Sequence, residues 1–167
     1  MADKRKVQLR ITAIQDGEES VQEVQAFLYR QPEGFYLRYR EPEESAGGNS
    51  TATTIKVKRS GVKLIRHGAV ESEMELEVNR ALPGYYRSEH AFLRLMAVAE
   101  RVDMDVRASG AEKSNRHGAE DAGNAVVEGA VRLEYDLYIN DQFAGHFVIV
   151  LDIREELEDE RIGKSES

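Results

Sequence analysis

Arg66 is the residue with the most chemistry to offer. Val62, Leu64 and Arg66 recur at every second position after the Ser60-Gly61 turn, and a strand sends such residues to one face. That face should be dry, and a guanidinium there must be paired or hydrogen-bonded. It can grip a carboxylate or phosphate with two parallel bonds. The same pattern turns Tyr39, Thr51, Thr53, Ser72 and Tyr135 inward, with Met74 supplying apolar wall. These residues are the expected lining for noncatalytic binding of a small, partly apolar, anionic ligand, with Arg66 as its anchor. The competing reading gives Arg66 a bracing role at the end of its strand, since Gly68 marks a bend two residues on. In that case the hydroxyls satisfy Arg66 or one another and leave no cavity. No second inward charge that would pair with Arg66 is evident.

Catalysis finds little support. There is no cysteine, which removes disulfides, thiolate nucleophiles and cysteine metal sites. The four histidines, His67, His90, His117 and His146, show no helical metal-ligand spacing. His67 with Glu71 and Glu73 could gather around a metal on one outer face, but two ligands on such a face rarely close a site, so no metal and no cofactor are expected. Ser72 and His67 point to opposite sides under strict alternation, which gives no activated serine. No nucleophile elbow or phosphate-binding glycine loop is present, and Gly47-Gly48 is a linker signal. An uncharacterised enzyme therefore ranks third, behind the two binding readings.

Charge supplies the alternative. Lys and Arg total 23 against 31 Asp and Glu, a net charge of −8. That balance makes nonspecific nucleic-acid binding an unfavoured expectation. The charge is uneven, however: residues 1–69 hold 12 basic and 9 acidic side chains, net +3, and residues 70–167 hold 11 and 22, net −11. Arg38, Arg40, Lys56, Lys58 and Lys63, with Tyr36 among them, belong to the outer faces of three consecutive strands. Basic and aromatic side chains so mixed suit an interaction module for RNA or a protein. Glu71, Glu73 and Glu75 on the next strand are the groups that would neutralise them.

The elements that carry these residues alternate with period two. Val70 to Val78 has glutamate at 71, 73, 75 and 77 and apolar or small residues between, which scatters on a helix and separates cleanly on a strand. The same test marks strands at 7–11, 21–29, 35–40, 51–57, 62–66, 92–99, 102–106, 131–139 and 147–153. Phe27 and Leu28 blur the second, because both cannot face one side. Asp16-Gly17, Pro32-Glu33-Gly34 and Asn140-Asp141 supply turns, the last leading into a bulged hairpin. About ten strands joined by short turns, with no crossover helix, predict an all-β antiparallel meander closed into a barrel.

The barrel is expected to be one domain over residues 1–153, with an Ala-, Gly- and Asn-rich loop at 109–128 and a charged tail at 154–167, helical for a turn near 155–160. No stretch approaches a membrane span and Met1 to Lys6 lacks an apolar signal core, so the expected address is cytoplasmic, without a membrane partner.

Three segments resemble one bacterial family. They are Thr51-Ala52-Thr53-Thr54-Ile55-Lys56-Val57, the run from Leu64 through Arg66, Gly68-Ala69-Val70 and Ser72 to Met74, and Leu133 to Asn140. In order and spacing they are similar to the YwiB-like proteins, a domain of unknown function. The resemblance extends over most of residues 5–155 and implies a calycin, or lipocalin-like, β-barrel. The family supplies no catalytic residues to carry over. The chain departs from the family where Thr-Pro-Tyr-Gly usually follows a tyrosine: here Ser88-Glu89-His90-Ala91 comes after Tyr86.

Overall fold

The computed structural model describes residues 4–41, 51–109 and 126–156. A sheet with one apolar face must cover that face and hide its edges, and this chain does both by curling the sheet onto itself. Ten strands follow in chain order: β1 (Lys4–Gln15), β2 (Glu18–Gln31), β3 (Gly34–Arg40), β4 (Thr51–Lys58), β5 (Gly61–Gly68), β6 (Glu71–Leu76), β7 (Ala81–Arg87), β8 (Phe92–Ser109), β9 (Val126–Ile139) and β10 (Gln142–Glu155). Each pairs antiparallel with its sequence neighbours, and β1 pairs with β10 to close the barrel. Among the described residues there is no helix, hence none long and apolar enough to cross a membrane.

Alternation sets the register. Val62 lies opposite Leu76, Leu64 opposite Met74 and Arg66 opposite Ser72, which turns Glu71, Glu73 and Glu75 outward. Leu9, Leu28, Leu37, Ile55, Leu76, Leu133 and Leu151 are fully buried at the centre. Each such side chain contributes about 1.5–3 kcal/mol of burial, and together they form the hydrophobic core of the barrel. Leu28 packs opposite Leu37 while Phe27 faces outward at 38% exposure, which settles the ambiguity in β2.

Several expected boundaries need correction. Strand β7 was not anticipated, because Pro83-Gly84 reads as a turn. The β6–β7 ladder covers only Glu71–Glu73 with Tyr85–Arg87, so Pro83 lies beyond it and has β8 as its ladder neighbour. Gly84 is needed here: a Cβ would sit 2.2 Å from the Glu73 carbonyl oxygen. The segments at 92–99 and 102–106 are a single strand, β8. A bulge at Glu100 lets Ala99 pair with Tyr135 and Arg101 with Glu134, which keeps Val102 and Met104 opposite Leu133 and Val131. The total of ten thus agrees through two offsetting differences.

The Asn140-Asp141 hairpin has positive φ at both turn residues and a bulge between Phe143 and Gly145, as expected. Strand β9 starts at Val126, inside the expected loop, and residues 110–125 lie outside the described residues. Strand β10 includes Arg154 and Glu155, so the barrel runs past the expected boundary at 153. The tail from 157 onward lies outside the described residues.

Candidate functional site

At one end of the barrel the inward alternation of β3, from Phe35 through Leu37 and Tyr39, continues one step to Glu41. Glu41 accepts both prongs of Arg66, from Nε to Oε2 at 2.8 Å and from Nη2 to Oε1 at 2.8 Å. Thr53 Oγ1 donates to Glu41 Oε2 at 2.7 Å, and Tyr39 shares a hydrogen bond with Thr53. The Glu41 amide donates to the Thr51 carbonyl at 2.8 Å, which anchors the carboxylate's backbone to β4. Burial pushes the Glu41 carboxyl up, but the bonds from Arg66 and Thr53 outweigh it and hold it below the usual range. Arg66 is raised in turn, chiefly by Glu41. Side-chain exposure of 35% for Arg66 and 17% for Glu41 places the pair at the rim.

The structure therefore gathers Tyr39, Thr53 and Arg66 around a residue that the sequence reading had not included. Thr51 is buried at 3% and lies opposite Gly68, and Ser72 faces Arg66 from β6. Met74 packs against the core. Tyr135 is apart from the group, stacked on Phe147 at 5.4 Å between ring centroids, with burial pushing its phenol up.

The outer face of β1–β4 is organised differently. Tyr29 and Tyr36 are cross-strand partners and stack at 4.8 Å with 16° between planes. Lys4 pairs with Tyr29 across β1–β2 and Lys56 with Tyr36 across β3–β4. Phe27 is the next residue of β2 on the same face, with Lys4 Nζ 4.5 Å from its ring centroid and with Lys6 and Arg38 as its register partners. Arg40 lies opposite Ala52, and Lys58 occupies the turn end of β4. Of the expected neutralising glutamates, Glu73 takes Lys63 at 3.1 Å, which raises Lys63, while Glu71 pairs with Arg87. Arg38, Lys56 and Lys58 form no ion pair within 4 Å among the described residues. The cationic row is thus discharged at its β5 end, whereas Arg38, Lys56 and Lys58 keep their charge uncompensated by any ion pair among the described residues.

The strand pair beneath this surface also opens. The β2–β3 ladder spans Phe27–Gln31 with Gly34–Arg38 and stops there. Beyond it lies a cleft of about 680 Å³, lined by Val24, Gln25, Phe27, Tyr39, Arg40 and Ala52 among others.

Comparison with known proteins fixes the kinship. The model of a domain of unknown function, DUF1934, matches residues 6–151. The chain belongs to the DUF1934 family. No curated protein matches it. Among solved structures, this DUF1934 chain is similar to the YwiB protein from Bacillus subtilis, with a TM-score of 0.70 and 17% identity over 93% of this chain and 96% of that one. At that identity the likeness concerns the fold.

Two features of the DUF1934 chain escaped the sequence reading. Lys4, Lys6, Phe27 and Tyr29 extend the basic face, a signal present in the alternation of Lys4 and Lys6 with Arg5 and Val7. The second is a histidine clamp. His146 Nδ1 lies 2.7 Å from Asp136 Oδ1 and Nε2 lies 3.0 Å from Glu134 Oε2, with Glu100 brought nearby by the β8 bulge. Outward positions of β9 and their antiparallel partner in β10 carry that signal. By contrast, His67 is 81% exposed and 3.6 Å from Glu71.

Carboxylates at both ring nitrogens favour the imidazolium, and the Asp136 bond first, then the Glu134 bond, raise His146 above its ordinary 6.5. The stabilisation is complete below pH 6.5 and fades as pH rises through the raised folded value. His146→Gln should therefore lower the melting temperature at pH 5.5 and converge with the parent at pH 9. A constant difference between the two melting curves across that range would refute the assignment.

Proposed function

We propose that this protein is a noncatalytic binding module for single-stranded nucleic acid, engaged by the outer face of β1–β4. The observation that carries the reading is the stacked Tyr29–Tyr36 pair set between Lys4 and Lys56, with Phe27 and Arg38 as the next pair on the same face. Bases stack on aromatic faces while lysine and arginine track the phosphates. An acidic protein partner would use the cations and leave the aromatic platform without a purpose. The whole-chain charge of −8 speaks against indiscriminate duplex binding, but the acidic excess belongs to residues 70–167 and the platform to the cationic first part. A small anionic ligand held inside the barrel by Arg66 draws less support, since Glu41 fills the guanidinium fork and offsets its charge.

The test is fluorescence anisotropy with a labelled hexanucleotide at two salt concentrations. Each phosphate contact contributes a slope of about −0.7 in log affinity against log salt. Lys56→Glu with Lys58→Glu should weaken binding about tenfold or more and flatten that slope. Both side chains are exposed, so the melting temperature should hold. Unaltered affinity in the double variant would sink the proposal.

A further inference from the structure

We infer that the cleft between β2 and β3 receives one nucleobase of the bound strand. The inference rests on the outer-face reading above and extends it from a flat platform to a pocket. Phe27 and Arg38 make the last rung of the β2–β3 ladder. Past that rung the β2–β3 ladder pairs no further residues among those described, so the backbone of Val24 and Gln25 on β2 and of Tyr39 on β3 borders the cleft. A base offers the complementary features: two apolar faces and an edge of donors and acceptors.

The walls suit those faces. Phe27, Val24 and Ala52 are apolar, and Tyr39 closes the inner side, where Thr53 holds its hydroxyl. The rim carries Lys4 and Arg38, placed for the phosphates on either side of an inserted base. The volume of about 680 Å³ falls within the range of small-molecule pockets, about 300–1,000 Å³. The cleft adjoins the Tyr29–Tyr36 stack through Phe27 and Tyr29, so a strand stacked on the platform has its next base at the opening. The Glu41–Arg66 pair stands behind Tyr39 and Thr53 and fixes the inner wall.

The cleft would also admit the base of a free nucleotide, so the experiment separates the two sources. Anisotropy is measured with a labelled hexanucleotide, with an abasic hexamer of the same charge, and by competition with adenosine monophosphate. The wild-type protein should prefer the base-bearing hexamer by at least tenfold. Ala52→Leu, which pushes a branched side chain from the wall into the space a base would occupy, should erase that preference and leave abasic binding unchanged. Lys56→Glu with Lys58→Glu should weaken both hexamers.

A hexamer carrying 2-aminopurine, read on wild-type protein, guards against misfolding of the Ala52→Leu variant. Its fluorescence should change at least twofold at saturation as one base leaves its stacked neighbours. Equal affinity for the two hexamers, an undiminished preference in folded Ala52→Leu, or unchanged 2-aminopurine emission would each overturn the pocket while leaving the platform standing. Adenosine monophosphate binding as tightly as the hexamer would assign the cleft to a free nucleotide and overturn its use by a strand. Failure of the lysine variants to affect either hexamer would instead overturn the platform itself.

Discussion

Replacing Arg66 with methionine should lower the unfolding free energy by about 2 kcal/mol, whereas Arg66→Met combined with Glu41→Leu should return to within about 1 kcal/mol of the parent. The single change leaves Glu41 at 17% side-chain exposure, with Thr53 as its remaining side-chain donor. A half-buried carboxylate without its counter-charge carries much of the cost, and the double change removes that charge as well. The pH dependence has a definite sign. Glu41 titrates below its ordinary 4.5 in the folded state, so the pair's contribution is present above pH 4.5 and is lost as pH falls through the lowered value. Parent and Arg66→Met should therefore differ most near neutrality and converge in acid. Chemical denaturation at pH 7 and pH 3 decides it: equal differences at both would show that Arg66 acts through packing of its stem.

Gly129→Ala should cost about 3 kcal/mol, among the largest effects of adding one methyl group anywhere in the barrel. Gly129 has φ of +156°, and a Cβ there would lie 2.2 Å from the Asp105 carbonyl oxygen and 2.5 Å from the Val106 Cα. Both obstacles are backbone in the neighbouring strand, so no rotamer change relieves them, and β8 and β9 would have to separate where Val106 pairs with Gly129. Gly17 is the control: its φ is +89° but nothing lies within 4 Å of the added carbon. Gly17→Ala should cost about 1 kcal/mol, the conformational penalty alone. Thermal denaturation of the two variants measures the difference, and equal losses would refute the steric argument.

The closed meander was legible in the sequence because most strands keep one phase of alternation throughout, as Thr51 to Lys58 does. Legibility failed where the phase breaks. Glu100 adds one residue to β8, and a reader counting in twos finds two strands there. Pro83-Gly84 carries turn chemistry inside β7 and is tolerated because the β6–β7 ladder ends before Pro83 and Gly84 admits the close approach of β6. The candidate site divides the same way. The inward direction of Arg66, Thr53 and Tyr39 follows from local pattern. Glu41 does not, because it stands between the end of β3 and Pro42-Glu43-Glu44, whose composition reads as loop. The Tyr29–Tyr36 stack is a matter of register between two strands, which alternation within either one leaves undetermined.

The seam between β1 and β10 has a consequence for how the molecule is made. Val7 pairs with Glu155 and Gln15 with Phe147, so β1 is translated first among the described strands and gains its second partner only when the last has left the ribosome. Until then the nascent sheet has two open edges, β1 and β9, and its apolar inner face is not yet enclosed. Edges of that kind recruit other chains. Closure brings together residues far apart in sequence, which is entropically slow. Productive folding is thus a race between ring closure and association with a second unfinished chain, and Lys4 and Lys6, placed along the waiting strand, favour closure by charge repulsion between chains.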